Sequence, residues 1–279
     1  MFKCSETYCS NCQTRDLGLC HMISDHTRRQ LALSGHIQSC AANRVIWDEG
    51  SDPNFTAILV SGYLRLQRYG IDGRRQILCL FTPGDFVGGP KSWGAGYSVE
   101  ASVNAQLCRL DSRTFEDMME TDGELRRTVY LLRSAKLDQL RWLTCLLGAL
   151  AAEERLCAFL AMATKFMPSQ PMPDGGVILT VDLPRLDIAD LLGTTVESIS
   201  RITNRLDAIG VLQIVDARTF HILDLPRLRT MGCLQGTLEN VRFPADFRNP
   251  LSPTRNRPAL PIRPPVAPLI QQIVSPARH

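Results

Sequence analysis

The 279-residue chain has no long uninterrupted apolar run. Its longest apolar stretches, such as Trp142 to Leu150, are broken by polar residues and fall short of the roughly 20 residues a membrane span needs. The first residues, Met1-Phe2-Lys3-Cys4, carry neither the basic segment nor the apolar block of a secretory leader, so a cytoplasmic location and no membrane partner are expected. An excess of one charge is also lacking. The formal net charge is +3, which excludes a uniformly basic, nonspecific nucleic-acid binder and confines any contact with DNA to a local surface. The five histidines (His21, His26, His36, His221 and His279) form no spaced ligand motif, and no activated nucleophile–base pair is visible. These absences argue against an enzyme. No internal repeat is found.

Hydrophobic residues make up 44% of the chain and charged residues 21%, ordinary values for a globular protein. The length suits two domains with appendages. Cysteine is abundant: there are ten, and Cys4, Cys9, Cys12 and Cys20 fall within the first twenty residues. In a reducing cytoplasm such clustering points to a metal site rather than to disulfides.

The pattern along the chain predicts an α+β architecture. Residues 1–24 form a cysteine-rich segment. Residues 25–120 read as an antiparallel β-roll, with short alternating strands, a hairpin at Asp72-Gly73, a turn at Pro83-Gly84 and a last strand from Gln106 to Leu110. Residues 121–150 read as one long helix whose stripe of Leu125, Val129, Leu132, Leu140, Leu143 and Leu147 is expected to pair two subunits; Lys136 then falls where the seam wants an apolar side chain. The alternative is a helix packed on its own domain. Residues 151–234 give the order helix, strand, helix, tight turn at Gly193, helix and two short strands, a winged helix-turn-helix. Residues 235–279, rich in Pro and Arg from Arg242 onward, are expected to be disordered, or else a basic arm on DNA phosphates.

In the second helix of that pair, Val196, Ile199, Ile202 and Leu206 share an inner face and leave Glu197, Ser200, Arg201 and Asn204 outward. Arg201 can donate two parallel hydrogen bonds to guanine, Glu197 can accept from cytosine, and Ser200 can bond or pack at a neighbouring base. Val196-Glu197-Ser198-Ile199-Ser200-Arg201 resembles the recognition helix of FNR-type oxygen-sensing regulators in the CRP/FNR superfamily, and Ala152-Glu153-Glu154-Arg155-Leu156 is similar to the helix that opens their DNA-binding domain. The resemblance spans about Cys9 to Leu225. It implies a homodimer on double-stranded DNA with palindromic TTGAT-like half-sites, and contact with RNA polymerase. It also implies a roll like that of the cyclic-nucleotide binders. Gly84-Asp85-Phe86-Val87-Gly88-Gly89-Pro90, however, lacks the glutamate of the phosphate cassette, and no Arg-Ser pair follows before Ala101, so a cyclic nucleotide is not expected.

Cys9, Cys12 and Cys20 stand at Cys-x2-Cys-x7-Cys spacing, and Cys108 ends the roll. Thiolates suit iron–sulfur clusters, and four complete the shell of a four-iron four-sulfide (4Fe-4S) cubane. The arrangement resembles the sensor of oxygen-responsive FNR proteins, with Cys108 in the context of the distant ligand. Other readings stay open: a zinc knuckle of Cys4, Cys9, Cys12 and Cys20, a Cys9/Cys12 dithiol switch, haem or a small ligand in the roll, or a redox protein. Cys40, Cys79, Cys145, Cys157 and Cys233 are expected to be buried core thiols.

Overall fold

A computed structural model describes residues 2–51, 54–88, 96–234 and 241–247. By its contacts the chain divides into Met1–Arg248 and Asn249–His279, and the second unit lies outside the described residues. The first unit opens with strand β1 (Phe2–Lys3) and three short helices, α1 (Glu6–Ser10), α2 (Gly18–Met22) and α3 (Asp25–Ser34). Ser5 and Ser24 start α1 and α3 by accepting from the backbone N–H groups of Tyr8 and Thr27, satisfying donors that a helix start leaves unpaired.

The roll follows as β2 (His36–Cys40), β3 (Val45–Trp47), β4 (Phe55–Ser61), β5 (Leu64–Tyr69), β6 (Arg75–Phe81), β7 (Phe86–Val87), β8 (Ser98–Ala101) and β9 (Ala105–Asp111). One antiparallel sheet has the order β1-β2-β9-β4-β7 and the other β3-β8-β5-β6. Trp47, Phe55, Leu59, Leu64, Val99 and Leu107 share the core of the roll. The β5–β6 hairpin turns where expected: Gly73 adopts a φ of 77°, and Asp72 accepts from the Arg74 amide at 3.1 Å.

Asp111 then caps α4 (Ser112–Thr121) and Asp122 caps α5 (Gly123–Ala149). The long helix corrects the expected seam. Leu125, Val129 and Leu132 pack on the same chain's Ile58, Phe86, Leu110 and Phe115, and Leu143 joins the core of the next domain. Lys136 turns inward too, donating to Asp85 Oδ2 at 2.8 Å, Leu80 O at 3.0 Å and Gln139 Oε1 at 2.8 Å. The physical reason is the stripe's width, which is that of a helix docked on its own domain rather than a narrow coiled-coil seam. The opposite face carries exposed Tyr130, Leu137 and Cys145.

The remaining elements are α6 (Ala152–Ala163), β10 (Ser169–Pro171), β11 (Val177–Thr180), α7 (Arg185–Leu191), α8 (Val196–Ala208), β12 (Leu212–Ile214), β13 (Thr219–Ile222) and α9 (Leu225–Met231). The sheet order is β10-β11-β13-β12, all antiparallel. The Pro- and Gly-rich stretch at 168–176 contains a strand, β10, paired with β11. Leu156, Phe159 and Leu160 of α6 share one core with Leu192, Leu206 and Leu228.

The start of the expected disordered tail is packed. Val241 and Phe243 are buried, Phe243 stacks on Phe166 at 4.5 Å between ring centroids, and Gln139 Nε2 donates to Arg242 O at 2.6 Å. A 3₁₀ turn at Pro244–Phe247 lies against α2. The Pro-rich composition of the later residues hid this short apolar anchor; the prolines from Pro250 onward lie outside the described residues. Phe243→Ala is expected to cost about 3 kcal/mol, the scale of emptying a buried aromatic site. Thermal unfolding followed by circular dichroism checks it, and an unchanged midpoint would show that the segment is not docked in solution.

Candidate metal centre and nucleic-acid interface

Sheet register brings Cys4, a ligand in the zinc reading but not in the cluster reading, beside Cys108. Lys3 pairs with His36 and Ile37 with Cys108, while the Cys4 amide donates to Gly35 O at 2.8 Å. A Cβ on Gly35 would sit 2.8 Å from Leu31 O and 3.1 Å from Cys108 Sγ, so glycine keeps the space between the end of α3 and Cys108 open. Cys4 is 4% exposed, and its Sγ lies 3.5 Å from Cys9 Sγ. Cys4, Cys9 and Cys108 pack together beside Ile37 and Ala32. Cys12 Sγ lies 3.3 Å from Thr14 Oγ1, which also hydrogen-bonds with Cys20, and Cys20 and Cys108 pack against one apolar cluster.

Cys4, Cys9 and Cys20 are held toward their neutral forms. Hydrogen bonding with Cys108, then burial, pushes Cys4 up to about 11. Hydrogen bonding with Cys4, then burial, pushes Cys9 up, while Arg28 and Arg15 pull it back. Burial pushes Cys20 up to about 12, with Cys12 and Cys9 adding to it. A metal that takes the thiolate forms must displace these protons, so its binding is expected to strengthen as pH rises. The four expected ligands, Cys9, Cys12, Cys20 and Cys108, thus lie in one region, with Cys4 among them.

The donor set fits a thiolate-bound cluster: all five donors are sulfur, and Arg15 and Arg28 offset the negative charge that thiolates bring. Among the described residues no three His, Cys, Asp or Glu side chains converge on one ion position. Four thiolates around a single zinc would stand about 3.8 Å apart, from a Zn–S distance of about 2.3 Å. A cubane places each thiolate on its own iron, so its ligands spread more widely.

Of the other cysteines, Cys40, Cys79 and Cys157 are buried as expected, whereas Cys145 and Cys233 are exposed. Cys145 lies on the outer face of α5, and Cys233 Sγ meets Glu154 Oε1 at 3.8 Å. The loop at Gly84 is covered. Gly84 has a φ of 92°, and a Cβ there would be 2.9 Å from Leu17 Cβ and 3.0 Å from Pro244 Cβ. Asp85 beside it accepts from the Thr82 amide at 2.7 Å and from Lys136. Gly89 and Pro90 of that stretch lie outside the described residues.

In α8, Ile199, Ile202 and Leu206 are buried while Glu197, Arg201 and Asn204 are exposed and Ser200 is half-buried. Thr195 caps the helix by accepting from the Ser198 amide at 3.2 Å. Hydrogen bonds from its own backbone N–H and from the Thr195 hydroxyl hold the Glu197 carboxyl below its usual range, leaving it an ionised acceptor at neutral pH. Arg201 Nη2 reaches only Ser198 Oγ, at 3.3 Å, and stays available. Gly193 makes the turn before α8 with a φ of 60°. Arg155 of α6 pins that turn, donating to Leu192 O at 3.0 Å and to Leu150 O at 2.8 Å.

A buried ionic interlock joins α7 to the roll. Asp187, 2% exposed, accepts from Arg65 Nη1 at 2.8 Å, from Arg75 Nη2 at 2.6 Å and from Ser102 Oγ. Arg65 also reaches Glu100 Oε2 at 2.6 Å and Gln67 Oε1 at 2.9 Å, and Arg75 Nε reaches Asp190 Oδ2 at 2.6 Å. Sequence reasoning missed these residues because their partners are more than a hundred positions apart.

Comparison with known proteins agrees with this architecture. Residues 37–122 match the cyclic nucleotide-binding domain and residues 154–231 the Crp-like helix-turn-helix domain. The nitrogen fixation regulation protein FixK of Bradyrhizobium diazoefficiens is 30% identical over 229 residues, covering 81% of this chain and 94% of that protein. The transcriptional activator protein FnrL of Cereibacter sphaeroides is 28% identical over 222 residues, covering 79% and 90%. The solved structure of FixK2 from Bradyrhizobium japonicum superposes with a TM-score of 0.65 at 24% identity, covering 71% of this chain and 96% of that one. The chain belongs to the CRP/FNR family of transcription regulators and is not an enzyme.

Proposed function

We propose that the protein is an oxygen-responsive regulator in which Cys9, Cys12, Cys20 and Cys108 hold a 4Fe-4S cluster, and whose dimer reads palindromic TTGAT-like sites when that cluster is intact. The observation that carries this reading is the gathering of the N-terminal thiols against Cys108, on the strand that leads through α4 into α5. When bound, the cluster supplies an oxygen-labile link between the N-terminal segment and the roll. The residues supply the rest. Cys108 fixes one end of the link in β9, and the cap at Asp122 carries β9 and α4 into α5 without a loose joint. The face of α5 left uncovered carries exposed Tyr130, Leu131 and Leu137, apolar groups that a second copy of the chain would cover in this reading.

The pair of α8 helices in such a dimer would enter half-sites about one helical turn apart, and RNA polymerase is the further partner in this reading. Arg201→Ala is expected to cost about 1–3 kcal/mol on the cognate half-site and to relax preference at one base pair. Fluorescence anisotropy with cognate and scrambled duplexes checks it; equal losses on both would make Arg201 a phosphate contact. The reading as a whole is tested by iron and sulfide analysis of anaerobically purified protein, with operator binding before and after air. A Soret band, or zinc in place of iron and sulfide, would replace it with a haem or zinc regulator of the same family.

A further inference from the structure

Five thiols surround a site that needs four, and one pair stands too close to serve two irons. Cys4 Sγ and Cys9 Sγ are 3.5 Å apart, in van der Waals contact, whereas ligands on separate corners of a cubane must spread further. Only one of the two can fill that corner at a time. Their anchoring differs. Cys9 lies on α1, a five-residue helix with no buried side chains. Cys4 is almost fully buried and is tied by its amide to Gly35, on the ladder that carries Cys108.

Resting on the cluster reading above, we propose that Cys4 is a reserve ligand that takes over the corner held by Cys9 when the Cys9 thiolate is lost. The exchange would need no oxidant: the Cys4 S–H bond would break with its proton going to solvent, the Cys4 thiolate would take the place of the Cys9 thiolate on the metal, and the displaced Cys9 sulfur would take up a proton from solvent. Among the described residues neither Cys12 nor Cys20 has a second thiol so placed. The segment then keeps its metal when Cys9 is lost.

The test is iron and acid-labile sulfide per chain, with visible absorption, after anaerobic reconstitution of the full-length protein and its Cys9→Ser, Cys4→Ala and Cys4→Ala/Cys9→Ser variants. Cys9→Ser and Cys4→Ala should each retain iron within about twofold of the wild type, and the double variant should fall below about a tenth, because a hydroxyl is a poor ligand for iron in such a cluster. Iron in the Cys4→Ala protein also shows that this replacement leaves the site folded. Cys9→Ser protein as empty as the double variant would overturn the reserve role, and so would loss of iron from Cys4→Ala, which would make Cys4 a resident ligand. Wild-type protein that takes up no iron would sink the cluster reading itself, a result separate from either of these.

Discussion

Cys108→Ser is expected to bring anaerobic iron and sulfide below about a tenth of the wild-type content and to abolish specific operator binding even without oxygen, since the soft thiolate is replaced by a poor hydroxyl ligand. Cys108 is the one thiol of the group outside the N-terminal segment, and it sits on β9, which runs into α4 and then α5. Without it the N-terminal segment has no metal link to the helix that presents Tyr130 and Leu137. Each recognition helix alone binds weakly, so affinity depends on engaging both half-sites together. A change of about 1–3 kcal/mol in dimerisation then becomes a large change in occupancy. Sedimentation should show a shift from dimer toward monomer alongside the loss of iron. The comparison with Cys4→Ser is decisive: if Cys108→Ser protein keeps metal and DNA binding while Cys4→Ser loses both, a zinc knuckle replaces the oxygen-sensing reading.

How much of this was legible in the sequence depends on the range of the interaction. The roll, the Asp72-Gly73 hairpin, the Asp111 cap and the two helices split by Gly193 are local, and period, turn residues and cap residues carry them. So is the division of α8 into an inner face of Ile199, Ile202 and Leu206 and an outer face with Glu197 and Arg201. The thiol group was half legible. Spacing exposes Cys9, Cys12 and Cys20, but the nearness of Cys4 to Cys108 is a matter of register between β1, β2 and β9, which no local pattern encodes. Gly35 between them was the available signal, a glycine just ahead of a strand where two backbones approach.

The long helix shows the opposite limit. Its apolar stripe was plain, yet a stripe names a buried face without naming what buries it. Lys136 was the clue that the partner is the same chain, because a lysine on the apolar side of a helix needs a carboxylate, and Asp85 supplies one from the roll. Phe243 was lost for a different reason. An isolated pair of aromatics, Phe243 and Phe247, among prolines and arginines reads as solvated until the packing against Phe166 is known.

The interlock between α7 and the roll yields the largest expected effect on stability. Asp187→Ala should cost about 4–5 kcal/mol, the upper range for removing one partner of a buried ion pair, because it takes a carboxylate from each of two buried guanidinium groups. Arg65, 4% exposed, keeps Glu100, but Arg75 keeps only Asp190. Asp187→Asn should cost less, since the amide oxygen still accepts one of the hydrogen bonds while the charge is gone. The pair therefore separates lost charge from lost packing. Urea unfolding gives the stabilities, and a double-mutant cycle of Asp187→Ala with Arg65→Ala should show a coupling above about 1 kcal/mol, as side chains in one network do. The same variants bear on function because Asp187 belongs to the first helix of the helix-turn-helix, whose turn into α8 is pinned by Arg155. Releasing α7 from the roll leaves that internal geometry intact, so operator binding per folded dimer should survive where stability does not. A loss below about 1 kcal/mol for Asp187→Ala would mean that the aspartate is solvated and that the DNA-binding domain does not rest on the roll in solution.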